Sequence, residues 1–105
     1  AAADLAAIEA AIHACDFSAL GSVAEANALA MHATMLAARP ALCYLQPQTL
    51  TTLHRLWQAR ADGLDIYATI DAGPNVKILC RARDEAAVRD AFPQALWVNP
   101  FAVAA

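Results

Sequence analysis

The apolar residues of this chain change period after Gly63, and that change constrains the fold more than any other feature. Before Gly63 they recur at helical spacing, first as Leu5, Ile8 and Ile12, then as Leu20, Val23, Ala24, Ala28, Met31 and Met35. A third set is Leu50, Leu53, Leu56 and Trp57. After Gly63 the period is two: Ile66, Ala68 and Ile70 alternate with Tyr67, Thr69 and Asp71. Beyond Gly73-Pro74-Asn75, Val76, Ile78 and Cys80 alternate with Lys77 and Leu79. A 3.6-residue stripe buries one face of a helix, and a two-residue alternation buries one face of a strand.

Punctuating residues divide these stretches into elements. The first helix is predicted from Asp4, a fair N-cap, to Cys15. Asp16 or Ser18 caps a second that runs to about Ala38, where Arg39-Pro40 stops it, because the residue before proline is pushed out of the helical region. Residues 41–48 read as an apolar connection. A third helix spans Thr49 to Ala61, with Gly63 as its C-terminal stop. The short link through Gly73-Pro74-Asn75 makes the next two strands an antiparallel hairpin. Asp84 caps a last helix carrying Val88, Ala91 and Phe92, Pro93 ends it, and Ala95 to Asn99 reads as a third strand. The expected fold is therefore α+β, one domain over residues 1–105, with helices on one face of a small antiparallel sheet.

Composition excludes several functions. Seven Lys and Arg against ten Asp and Glu give a net charge of −3, and the cations are scattered, so a nucleic-acid surface is not expected. No apolar run is long enough to span a bilayer as a helix. The three cysteines, Cys15, Cys43 and Cys80, are odd in number and widely spaced, as in a cytoplasmic protein with reduced thiols. No Cys-x-x-Cys or paired-His spacing suggests a metal site. Apolar residues make up 60% of the chain and charged ones only 16%. That excess points to surface covered by a further domain or by a second copy in a homodimer.

Asp71 is the first candidate for chemistry. It ends a strand and enters a glycine-containing turn, so the strand fixes its position while the turn exposes its side chain. Ala72 and Gly73 leave room for a ligand to approach the backbone. The same residues also permit a plain turn in which Asp71 bonds backbone amides.

Asp71-Ala72-Gly73-Pro74-Asn75-Val76-Lys77 resembles the signature of the mevalonate diphosphate decarboxylases, in the GHMP kinase superfamily. The stretch from Glu25 to Thr34 resembles the long helix of the bacterial-type members, and Pro40-Ala41-Leu42-Cys43-Tyr44-Leu45 and Tyr67-Ala68-Thr69-Ile70 also resemble family segments. The order holds from Asp4 to about Cys80. Ala41 departs from the pattern, where a second proline is expected. The resemblance implies the C-terminal, ferredoxin-like portion of an enzyme that converts mevalonate 5-diphosphate to isopentenyl diphosphate. It implies Asp71 as the catalytic carboxylate near the C3 hydroxyl of the substrate. ATP with Mg2+ is the implied cofactor, bound mainly by an N-terminal domain upstream of Ala1. The chain's own glycines, Gly21, Gly63 and Gly73, are isolated and do not form a phosphate-cradling loop, so residues 1–105 are expected to be inactive alone.

Other candidates carry less chemistry. The resemblance packs the stretch containing His32 behind the Asp71 turn, as support for it. Without it, His32 reads as a hydrogen-bonded core residue. Asn27 can bond a neighbouring backbone group, and Asn75 closes its own turn. Met31, Met35 and Cys80 read as packing, Lys77 as a solvated strand residue, and His13 and His54 as exposed. Three other functions stay open: a decarboxylase of the monophosphate, a mevalonate 3-kinase, and a non-catalytic ferredoxin-like module for ligand binding or dimerisation.

Overall fold

The computed structural model describes residues 2–70 and 73–96. Helix α1 spans Ala2–His13, so Asp4 lies in its first turn rather than capping it. There its negative charge complements the helix dipole, and its carboxylate accepts a hydrogen bond from the Asn27 side chain at 3.2 Å. The helix ends two residues before the expected Cys15. Asp16 N–H reaches back to the Ala11 carbonyl and Cys15 N–H to that of Ile12, a closure that puts Cys15 at φ +53°.

Helix α2, Phe17–Ala37, is capped by Asp16, whose Oδ1 accepts the Ala19 N–H at 3.0 Å. Its buried row is Gly21, Glu25, Ala28 and His32, not the predicted stripe through Met31 and Met35; Met31 is 38% exposed. The helix is apolar nearly all round, so periodicity could not select the side that meets the sheet. Helix α3, Pro47–Ala61, starts two residues early because Pro47 is preset for the first helical position after Gln46. Thr49, Leu53 and Leu56 form its buried row. Leu50 and Trp57, expected inside, flank that row and are exposed. Gly63, at φ +109°, ends the helix as expected.

Strands β1 (Tyr67–Ile70) and β2 (Val76–Leu79) pair antiparallel in the predicted hairpin, in register from Tyr67↔Leu79 to Ile70↔Val76. A 3-10 turn, Ala82–Asp84, precedes α4, Glu85–Ala91. Asp84 precedes α4 without a side-chain capping bond. Arg55 of α3 donates to the Ala91 carbonyl, closing α4's end, and lies over the Phe92 ring at 5.2 Å. The predicted third strand lies mostly outside the described residues, and Ala95 and Leu96 are not in a strand.

Leu53, Leu56, Ile66, Ala68, Ile70, Val88 and Phe92 form one core where α3 and α4 cover the hairpin. Leu56 and Ile66 are fully buried, each worth about 1.5–3 kcal/mol relative to an exposed side chain. Helix α2 lies along β1. Glu25 accepts the Ala68 N–H at 2.9 Å, and Arg60 donates to the Ile66 carbonyl at 2.9 Å. These two side chains bind the groups that a neighbouring strand would use. Helix α1 packs on α2, leaving Leu5 and Ile12 exposed.

Candidate functional site

The hairpin ladder stops at Ile70↔Val76, with residues 71–75 linking the two strands. Asp71 and Ala72 lie outside the described residues. Gly73 is half-buried, and a Cβ built on it would meet nothing within 4 Å, so it faces open space. Asn75 is exposed. With Pro74, Val76, Thr49, Thr52 and Arg55 it lines an open cleft of about 390 Å³ between α3, β2 and the segment after α4.

A buried hydroxyl joins the turn to α3. Thr49 Oγ1 donates to the Pro74 carbonyl at 2.7 Å and accepts the Gln46 N–H at 3.1 Å. Sequence reasoning placed Thr49 only at the start of the third helix, because its second partner lies 25 residues away.

His32 is 2% exposed, the last member of α2's buried row. Along that row Gly21 meets the Tyr67 ring and Glu25 meets Ala68. At about 1.5 Å per residue, His32 stands about 10 Å beyond Glu25 along α2. Asn27 does not join it. Its side chain is exposed and bonds Asp4 of α1, so it belongs to the α1–α2 contact.

Two polar clusters escaped the sequence reading. In the first, Arg60 binds both oxygens of the buried Glu25 carboxylate, one of them at 3.1 Å, and lies 4.5 Å over the Tyr67 ring. A buried carboxylate is tolerated only when paired and hydrogen-bonded, as here. The usable signal was a Glu and an Arg at core spacing, four residues after Gly21 and after Leu56. In the second, Asp65 Oδ2 accepts from Ser18 at 2.8 Å and from Arg81 at 2.7 Å. A hydrogen bond from the Tyr67 hydroxyl, then Ser18 and Arg81, hold its carboxyl below the usual range against the opposing effect of burial. Burial first, and Asp65 second, push the Tyr67 phenol up.

The remaining groups do not add a reactive centre. Burial, then the charges of Asp84 and Glu85, push the Cys80 thiol up, which suppresses the thiolate. His13 and His54 are exposed, as expected. Among the described residues no three His, Cys, Asp or Glu side chains gather to hold a metal. Gly21, Gly63 and Gly73 occupy three separate places, a helix, a helix end and the hairpin turn. The described residues therefore do not fit a magnesium–nucleotide site. Among them no helix is long and apolar enough to cross a membrane.

The family model and the solved structures point to the same family. The family model described as the mevalonate 5-diphosphate decarboxylase C-terminal domain matches residues 2–100. Among solved structures, the mevalonate diphosphate decarboxylase from Enterococcus faecalis is 40% identical, with a TM-score of 0.83 over 89% of this chain and 29% of that one. The Staphylococcus aureus enzyme is 39% identical at a TM-score of 0.83, covering 89% and 28%. A structure described as MDDEF in complex with MVAPP, AMPPCP and magnesium is 41% identical at 0.83, covering 87% and 28%. The chain thus spans under a third of the length of these solved proteins. A search of curated proteins gave no match.

Proposed function

This chain belongs to the mevalonate 5-diphosphate decarboxylase C-terminal domain family, and from that premise we propose that it is the C-terminal domain of an ATP-dependent decarboxylase of mevalonate 5-diphosphate. The products are isopentenyl diphosphate, carbon dioxide, ADP and phosphate. The observation that carries the proposal is the family match over residues 2–100, supported by 37–41% identity to several solved decarboxylases. The same match favours this reading over a 3-kinase, a monophosphate decarboxylase or a non-catalytic module.

We assign the catalytic carboxylate to Asp71, on the strength of the Asp71-Ala72-Gly73-Pro74-Asn75 motif. A carboxylate is ionised at neutral pH. It takes the proton of the C3 hydroxyl as that oxygen bonds to the terminal phosphorus of ATP and ADP departs. Alternatively, a carboxylate that only orients the hydroxyl stays ionised, and its negative charge then stabilises the positive charge developing at C3 as the new phosphate leaves. The electrons of the bond to the carboxylate carbon then form the new double bond, and carbon dioxide leaves. We also assign support of the turn to His32, buried on α2, and to Gly73, which faces open space. An N-terminal domain outside residues 1–105 would hold ATP and Mg2+, so this chain alone is inactive. The protein would act in the cytoplasm. Exposed apolar residues such as Leu5, Ile12 and Leu42 support a surface covered by that domain or by the second subunit of a homodimer.

The test uses the full-length protein carrying this chain, with carbon dioxide and ADP release measured from mevalonate 5-diphosphate and ATP. Equal release of both is expected; ADP without carbon dioxide returns the 3-kinase. Asp71→Asn should lower kcat by about 100-fold or more while KM moves only a few-fold. Turnover within a few-fold of wild type removes Asp71 from the mechanism.

A further inference from the structure

The turn after β1 lies outside the hairpin ladder, which closes at Ile70↔Val76, so something else must set its position. Thr49 is 3% exposed and lies on the same row of α3 as Leu53 and Leu56, which are locked in the core. The core therefore fixes where the hydroxyl sits. That hydroxyl uses both of its capacities: it accepts the Gln46 N–H at 3.1 Å and donates to the Pro74 carbonyl at 2.7 Å. Because Gln46 N–H is the donor on one side, the hydroxyl proton is directed to Pro74. Burial leaves little room for water to replace it.

We infer that Thr49 is a positioning residue for the decarboxylation. It fixes the backbone at position 74, three residues from Asp71, to the rigid first turn of α3. It does not touch the substrate; it acts on the reaction through the Pro74 end of the segment that carries Asp71. This inference rests on the assignment of Asp71 made above. An error of about 1 Å in the placement of a reacting group can cost about 100-fold in rate, so a freed turn should lower kcat with little change in binding. A hydroxyl that only stabilised the fold would leave the turnover of folded molecules intact.

The test measures kcat, KM and melting temperature for the full-length protein and its Thr49→Val, Thr49→Ser and Asp71→Asn variants. Thr49→Val keeps the shape and removes the bond. Its kcat should fall about tenfold or more with KM within about threefold, whereas Thr49→Ser, which keeps the hydroxyl, should retain kcat within about twofold. Normal kcat in folded Thr49→Val overturns the inference while leaving the function standing, provided Asp71→Asn is inactive. If Thr49→Val does not fold, Thr49→Ser decides alone: retained turnover supports the hydroxyl, and a tenfold loss overturns it. A wild-type protein without decarboxylase activity, or an active Asp71→Asn, overturns the underlying reading and this inference with it.

Discussion

Replacing Gly21 with alanine tests how α2 is seated on β1. A Cβ at this position would overlap Tyr67 Cδ2 and lie 2.5 Å from Cγ and 2.9 Å from Cε2. Ordinary carbon contacts begin near 3.5 Å, so the methyl group falls more than about 1 Å short of the space it needs. The Tyr67 ring cannot swing aside, because Phe17 packs edge-on at 5.9 Å and the Arg60 guanidinium lies over it at 4.5 Å. The helix must therefore shift outward. A shift of about 1 Å stretches the 2.9 Å bond from Ala68 N–H to Glu25 beyond hydrogen-bonding range. Overpacking costs about 1–3 kcal/mol, and a weakened bond to a buried carboxylate costs about 1–3 kcal/mol more. The better helix propensity of alanine returns about 1 kcal/mol. The expected net loss is about 1–5 kcal/mol, a large part of the roughly 5–15 kcal/mol of a typical domain. Urea denaturation of wild type and Gly21→Ala, followed by far-ultraviolet circular dichroism, measures it. Tyr67→Leu in the same background should recover part of the loss through a positive coupling. A Gly21→Ala protein as stable as wild type would refute the close approach of α2 to β1.

Two further outcomes follow from local chemistry. Cys15 holds a left-handed φ of +53° at the end of α1, so Cys15→Gly should stabilise by about 0.5–1 kcal/mol and raise the melting temperature; a lowered one would mean that the thiol contributes packing. Asp65 has its folded pKa depressed by Tyr67, Ser18 and Arg81, so its stabilising effect is present above the unfolded carboxylate pKa of about 3.9 and is lost as pH falls through the lower folded value. Stability measured from pH 7 to pH 2 should therefore decline less steeply below about pH 4 in Asp65→Asn than in wild type, and identical slopes would contradict that linkage.

The element order was legible because its signals are local: Asp16 before α2, Pro40 after it, Gly63 after α3, and the period of two on either side of Gly73-Pro74. Which side of each helix faces inward was not. On α2 nearly every position is apolar or small, and the buried side is chosen by the approach of Gly21 to Tyr67 and the pairing of Glu25 with Arg60, 35 residues apart. On α3 a buried threonine takes a place on the row where Leu50 looked the better core residue. The candidate site was legible only through the motif around Asp71. The bond from Thr49 to Pro74 and the burial of His32 are encoded by no periodicity, and Asn27 bonds Asp4 on a different helix.

The pairing of Glu25 and Arg60 with Ala68 N–H and Ile66 C=O also gives the hairpin a direction of growth. With those groups taken and α2 lying over them, a strand cannot join the sheet beside β1, and any extension must enter beside β2. Two copies of the chain meeting in solution cannot stack β1 on β1 into a continuous ribbon. Such pairing is the usual hazard of a short exposed strand. One acid–base pair, set on two helices, thus acts as a stop on one side of the sheet.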